Sequence, residues 1–316
     1  MSFVSVYRGD KSDVSVMSNL YKISLIVLLY IIVKKQCFAC EMKEFQYAIT
    51  IRSMRSIPSQ SLTCGGVLLH GQWVLTAAHC VNDIREIMDI EVMGLSDPEG
   101  PFERIAIRSS KVHSLYDSKT VEYDYALLYL NEEFPTYLKY PKIPGRAYVE
   151  NCINTDYQKT FVVAWEENLP KKKKRTGHSM TPYCIKVKTE ENGVCMDTFR
   201  SKLNNKVMMC TRSVSDGRQP CKGDSGGPLI CGGLVVGLVS FGMDCRIRYK
   251  ESIFARVDAS IPFIQETMRQ NGFYLENDTQ EGYEVYTIVN AGIIVEHSSL
   301  LLGVTLILIL FTTIYN

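Results

Sequence analysis

The 316-residue chain is 46% hydrophobic and 22% charged, which excludes a disordered polymer and leaves enough apolar material for a sizeable core. With 35 basic and 34 acidic residues its net charge is +1, so no global field draws it to nucleic acid or to an anionic surface. Eleven cysteines at uneven spacings argue against the CxxC pairs and Cys/His clusters of zinc sites and for disulfides formed in an oxidising compartment, and no metal or cofactor is expected.

In chain order, the first feature is the apolar run Ile23 to Val33 (ISLIVLLYIIV), preceded by Lys22 and followed by Lys34 and Lys35. A spanning helix needs about 20 apolar residues. The run has instead the length of a secretory signal, with the small residues Cys37 and Ala39 placed for cleavage before Cys40. Residues 1–39 are expected to be a signal peptide with an N-terminal extension, Met17 being the more typical start; a signal anchor or a buried helix is the alternative.

From Cys40 to Asn271, β-branched and aromatic runs recur between turn residues: YAITIR, GGVLLH, QWVLTA, IEVMGL, YALLYL, FVVAW, LVVGLVSF and IFARV. These predict strands. Helical spacing is confined to Asp258 to Gln270, with Ile261, Ile264 and Met268 on one face and Gly272 beyond as a stop. Residues 40–272 are therefore expected to be one all-β domain closed by a helix. The basic run Lys171 to Arg175 reads as a solvated loop, with a docking patch for an acidic partner as the alternative.

Residues 273–290 are largely polar, carry the glycosylation sequon at Asn277, and read as a stalk. Residues 291–316 read as a hydrophobic anchor signal, with Asn290 at the attachment point beside Ala291 and Gly292 and an uncharged stretch from Leu300 to Asn316. As a helix that stretch would reach only about 26 Å against a hydrocarbon core of roughly 30 Å. A lipid anchor is favoured over a short transmembrane helix or a buried tail.

Chemistry concentrates at Gly223-Asp224-Ser225-Gly226-Gly227-Pro228. A nucleophilic serine has to stand on a tight turn whose N–H groups converge, and flanking glycines permit that geometry. It also needs a base, and the base a carboxylate that fixes its tautomer. Of five histidines, His79 stands among small residues in TAAHC, beside a cysteine able to staple the loop. Asp124 precedes the apolar strand YALLYL, which would bury it next to an imidazole.

TAAHC, DYALLYL and GDSGGP, in that order, resemble the trypsin/chymotrypsin family of serine proteases, with 45 residues from His79 to Asp124 and 101 from Asp124 to Ser225. Cys64-Gly65-Gly66, Gln72-Trp73-Val74-Leu75, Trp165 and Val239-Ser240-Phe241-Gly242 extend the likeness. The resemblance implies two packed six-stranded antiparallel β-barrels with a cleft between them. It implies Ser225 as nucleophile, His79 as base, Asp124 as its orienting carboxylate, and the N–H groups of Gly223 and Ser225 as the oxyanion hole. Ser240, Phe241 and Gly242 would pair with the substrate backbone. The implied disulfides are Cys64–Cys80, Cys195–Cys210, Cys221–Cys245 and Cys40–Cys184, with Cys152 and Cys231 left to pair with each other. Partners would be protein or peptide substrates and protein inhibitors of an extracellular or surface-bound monomer, without nucleic acid.

The chain departs from the family in two places. Family activation exposes an Ile or Val N-terminus whose ammonium pairs with the aspartate before the serine; the corresponding region falls at Lys34 to Cys37, and Asp224 is expected to lack that partner. The specificity pocket has Gln219 where trypsin-like enzymes have an aspartate, and Ser252 where many relatives have glycine, which implies a preference for uncharged residues. Two readings follow: an active endopeptidase, or a protease-like binding or decoy module.

Overall fold

The computed structural model describes residues 45–53, 63–82, 90–95, 102–134, 139–154, 160–165, 182–200, 202–214, 218–243, 245, 247 and 250–291. The expectations for the signal segment, Cys40, the KKKKR run and the tail after Ala291 lie outside these residues.

Six strands form a first closed barrel: β1 (Ala48–Ser53), β2 (Thr63–His70), β3 (Trp73–Thr76), β4 (Ile90–Leu95), β5 (Phe102–Val112) and β6 (Ala126–Leu130), in the order β1-β2-β3-β6-β5-β4. On these strands Ile49, Val67, Leu68, Leu75, Ile107, Leu128 and Leu130 are all fully buried. After the short β7 (Ile143–Pro144) and helix α1 (Arg146–Asn154) comes a second closed barrel. It consists of β8 (Thr160–Trp165), β9 (Pro182–Glu190), β10 (Met208–Ser213), β11 (Pro228–Cys231), β12 (Leu234–Gly242) and β13 (Glu251–Arg256), in the order β10-β13-β12-β11-β8-β9. Both barrels are antiparallel throughout. β8, β11 and β13 are buried along their whole length, and β8 and β11 read as nearly continuous apolar runs, whereas β13 buries Glu251, Ser252 and Arg256.

Helix α2 (Asn192–Phe199) lies between β9 and β10, and α3 (Ile261–Arg269) follows β13, buried through Ile264 and Met268 and meeting His113 through Phe263, with Gly272 at φ +79° just past its end. The closing helix is the expected one. α1 and α2 were not expected, and α2 buries only Cys195, too little apolar face to leave a helical period in the sequence.

Residues 273–290 do not form a stalk. They fold into a hairpin of β14 (Phe273–Gln280) and β15 (Tyr283–Asn290) around a two-residue turn, Glu281-Gly282, in which both residues have positive φ. β15 also pairs with β7 through Val285↔Pro144 and Tyr286↔Ile143. Phe273 packs edge-on to His70, with ring centroids 4.9 Å apart, and Val285 is fully buried in the core cluster that includes Val149, Leu234 and Phe254. The polar residues that suggested a stalk, Glu276 to Thr279, lie on the exposed outer strand of this sheet.

Four disulfides join Cys64–Cys80, Cys152–Cys231, Cys195–Cys210 and Cys221–Cys245. Cys184 is also disulfide-bonded.

Candidate active site

His79 sits in a single 3-10 turn, Ala78–Cys80, just after β3, and Asp124 immediately precedes Tyr125 at the start of β6. β3 and β6 pair side by side, Thr76 opposite Ala126, so the barrel's register brings His79 and Asp124 together. The Asp124 carboxylate is buried and saturated with donors. Its Oδ1 accepts the His79 backbone N–H at 2.9 Å, and its Oδ2 accepts His79 Nδ1 at 2.8 Å and the Ser240 hydroxyl at 2.6 Å. A carboxylate offers only acceptors, so Nδ1 carries a proton, and in the neutral imidazole Nε2 keeps the lone pair. The imidazole is 31% exposed.

Ser225 arrives from the second barrel on the turn before β11. The Gly65 N–H donates to the Ser225 carbonyl at 2.6 Å, and Cys80 Sγ lies 3.6 Å from that carbonyl and 3.9 Å from His79 Nε2. The glycine-rich sequence exists because two backbones meet here. A Cβ on Gly226 would collide with the Thr76 hydroxyl and lie 2.5 Å from the Gly65 carbonyl, and Gly226 itself adopts φ +81°. Gly223 lies at φ +106° in the same turn.

Asp224 is fully buried and accepts two backbone N–H groups. Its Oδ1 accepts the Trp165 N–H at 3.1 Å and its Oδ2 the Cys221 N–H at 2.7 Å. Backbone amide dipoles thus stabilise its charged form.

Gln219 is buried, and its Nε2 donates to the Ile247 carbonyl at 2.7 Å. Ser252 on β13 faces Gly242 at the end of β12, where a Cβ on Gly242 would lie 3.1 Å from Ser252 Oγ. Phe241 is half-buried and meets Phe199 edge-on at 5.4 Å. Cys64, His79 and Cys80 cluster closely enough to suggest metal ligands, but the two sulfurs are joined in a disulfide and offer no thiolate. Sequence reasoning missed the Ser240 bond to Asp124 and the backbone partners of Asp224. An isolated serine in VSF and an N–H group carry no sequence signal of such bonds.

Two closed barrels with a histidine–carboxylate pair beside a serine turn define a class of serine hydrolase. The Trypsin family model matches residues 34–264, and the chain belongs to this family. Human kallikrein-8 is 31% identical over 223 residues, covering 67% of this chain and 80% of the relative. Rat cationic trypsin-3 is 25% identical over 238 residues, covering 74% of this chain and 89% of the relative. Among solved structures, neuropsin, a serine protease expressed in the limbic system of mouse brain, superposes with a TM-score of 0.57 at 23% identity, covering 73% of this chain and 97% of the other. The chain is a trypsin-like serine endopeptidase. The hairpin β14–β15 lies beyond the residues that the family model matches.

Proposed function

We propose that the chain hydrolyses peptide bonds of extracellular proteins through Ser225, His79 and Asp124. Ser225 Oγ attacks the scissile carbonyl carbon while its proton passes to His79 Nε2. The oxyanion is received by the N–H groups of Gly223 and Ser225. Collapse expels the amine with the proton from His79 and leaves an acyl-enzyme, and a water activated by the same base releases the acid and regenerates Ser225. The observation that carries this reading is the Asp124 carboxylate accepting the backbone N–H and the Nδ1–H of His79 together with the Ser240 hydroxyl. One oxyanion donor contributes about 3 to 4 kcal/mol of transition-state stabilisation in such sites.

The neutral Gln219, with Ser252 narrowing the wall opposite Gly242, favours small uncharged residues on the acyl side of the cleaved bond; Ser240, Phe241 and Gly242 receive the substrate backbone as an added strand. In this reading the protein travels the secretory pathway, is glycosylated at the exposed Asn277, and is anchored through lipid at Asn290 as a monomer. Protein protease inhibitors are its further partners.

A fluorophosphonate probe tests the catalytic claim: Ser225 should be labelled and Ser225→Ala should not. Wild-type protein that stays unlabelled while a control protease reacts would overturn it. Release from cells by a phosphoinositide-specific phospholipase tests the anchor.

A further inference from the structure

We infer that Tyr125 is a positioning residue for the reaction: its hydroxyl locks the strand start that carries Asp124 onto the second barrel. The inference rests on the triad reading above.

Asp124 is held on a backbone that resists its own conformation. Val121 and Tyr123 lie at φ +58° and +53°, left-handed values that a β-branched or aromatic residue avoids. Such residues are strained and persist only where their surroundings over-determine them. Much of that determination comes from the next residue along. The Tyr125 N–H donates to the Tyr123 carbonyl at 2.7 Å, and the Tyr125 carbonyl accepts the His113 N–H at 2.9 Å. The phenol crosses to the second barrel, where its single proton is shared between the Arg256 carbonyl at 2.8 Å and the Val207 carbonyl at 3.1 Å.

Both acceptors are themselves fixed. Val207 O also accepts the Arg256 N–H at 2.8 Å, and the Arg256 guanidinium is clamped by Asp258 through bonds of 3.1 and 2.8 Å. Tyr125 is fully buried, and burial, with Asp258 next, pushes its hydroxyl well above the ordinary phenol range, so it remains a donor at any working pH. Asp124 therefore meets the second barrel twice, through its own bond from Ser240 and through its neighbour's bond to Arg256. An apolar ring at 125 would fill the same space and take a donor from both carbonyls, of which Val207 keeps the Arg256 N–H.

The test is Tyr125→Phe in the mature enzyme, read by two independent measurements. The first is steady-state kinetics: kcat should fall about tenfold with KM unchanged, the signature of lost transition-state geometry rather than lost binding. The second is the proton resonance of His79 Nδ1–H, which reports its bond to Asp124 without turnover; it should broaden or move upfield in the variant. If Y125F does not accumulate folded, 3-fluorotyrosine at 125, a stronger donor in nearly the same shape, should displace that resonance from its wild-type position. A lower melting temperature with unchanged kcat and an unchanged resonance would overturn the proposal and assign the phenol to stability alone. Wild-type protein inert to substrate, yet with a resonance that responds to Y125F, would sink the catalytic reading and keep the positioning role.

Discussion

Ser240 Oγ donates to Asp124 Oδ2 at 2.6 Å across the joint between the barrels, so the second barrel, which carries Ser225, also fixes the carboxylate of the first. The two halves of the site are coupled through one buried oxygen, which also accepts from His79 Nδ1.

Removing charge from that oxygen should be far more damaging than removing one donor. Asp124→Asn replaces an acceptor-only group by one that presents a donor and selects the wrong tautomer of His79; kcat should drop by about 10⁴ with little change in KM. Ser240→Ala removes a single charge-assisted bond of about 1.5 to 3 kcal/mol, so the expected loss is on the order of tenfold to a hundredfold. Comparable losses in the two variants, measured on one peptide amide, would contradict this ordering.

If Gln219 forms the floor of the specificity pocket, changing it should rewrite the preference. Gln219→Asp places a carboxylate where a neutral amide now donates to the Ile247 carbonyl, and should raise kcat/KM for Arg and Lys substrates relative to uncharged ones by about tenfold or more. Ser252→Gly removes the hydroxyl facing Gly242 and should improve turnover of larger side chains. Profiling both variants against a library of peptide amides checks the directions. An unchanged profile would mean that these residues do not line the pocket.

Much of this was legible in the sequence, for physical reasons that differ by element. The barrel strands announce themselves because burial on both faces demands unbroken apolar runs, as in FVVAW of β8. The turn around Ser225 is legible because close backbone approach at Gly65 and Gly226 excludes any side chain. The hairpin was misread because β14 is an outer strand whose residues after Phe273 are mostly exposed, so its composition is that of a solvated linker. What anchors it, Phe273 and Val285, are single apolar residues against partners distant in sequence. The bonds to Asp224 and Asp124 were out of reach because they depend on tertiary placement of N–H groups and one hydroxyl.

Beside the pocket wall, Glu251 and Arg212 form a partly buried pair at 2.6 Å, with the Thr198 hydroxyl 3.0 Å from the second oxygen. Burial opposes ionisation of Glu251, but its own backbone N–H, Thr198 and Arg212 together outweigh it and hold the carboxyl below its ordinary value of 4.5. A carboxyl depressed in the folded state contributes stability that is present above the unfolded-state value and lost as pH falls through the folded one. Glu251→Gln should therefore cost about 2 kcal/mol at neutral pH, and its deficit should shrink once the pH drops below 4.5, as denaturant titrations at several pH values would reveal. A deficit that stayed constant into acid would place the effect in packing and not in charge.

The hairpin supplies the last prediction. Phe273 is 4% exposed and contacts His70 and Trp73, whose ring centroids lie 4.9 and 6.1 Å from its own. Tyr274, its neighbour on the other face of β14, is 42% exposed. If the hairpin is part of the folded body, Phe273→Ala leaves a cavity against the first barrel and should cost about 3 to 5 kcal/mol. Tyr274→Ala should change stability by no more than about 0.5 kcal/mol. The contrast is what matters, because a segment that merely tethers the domain would tolerate both substitutions equally. Thermal unfolding of the two variants in parallel separates the cases: Phe273→Ala should melt well below wild type while Tyr274→Ala melts beside it.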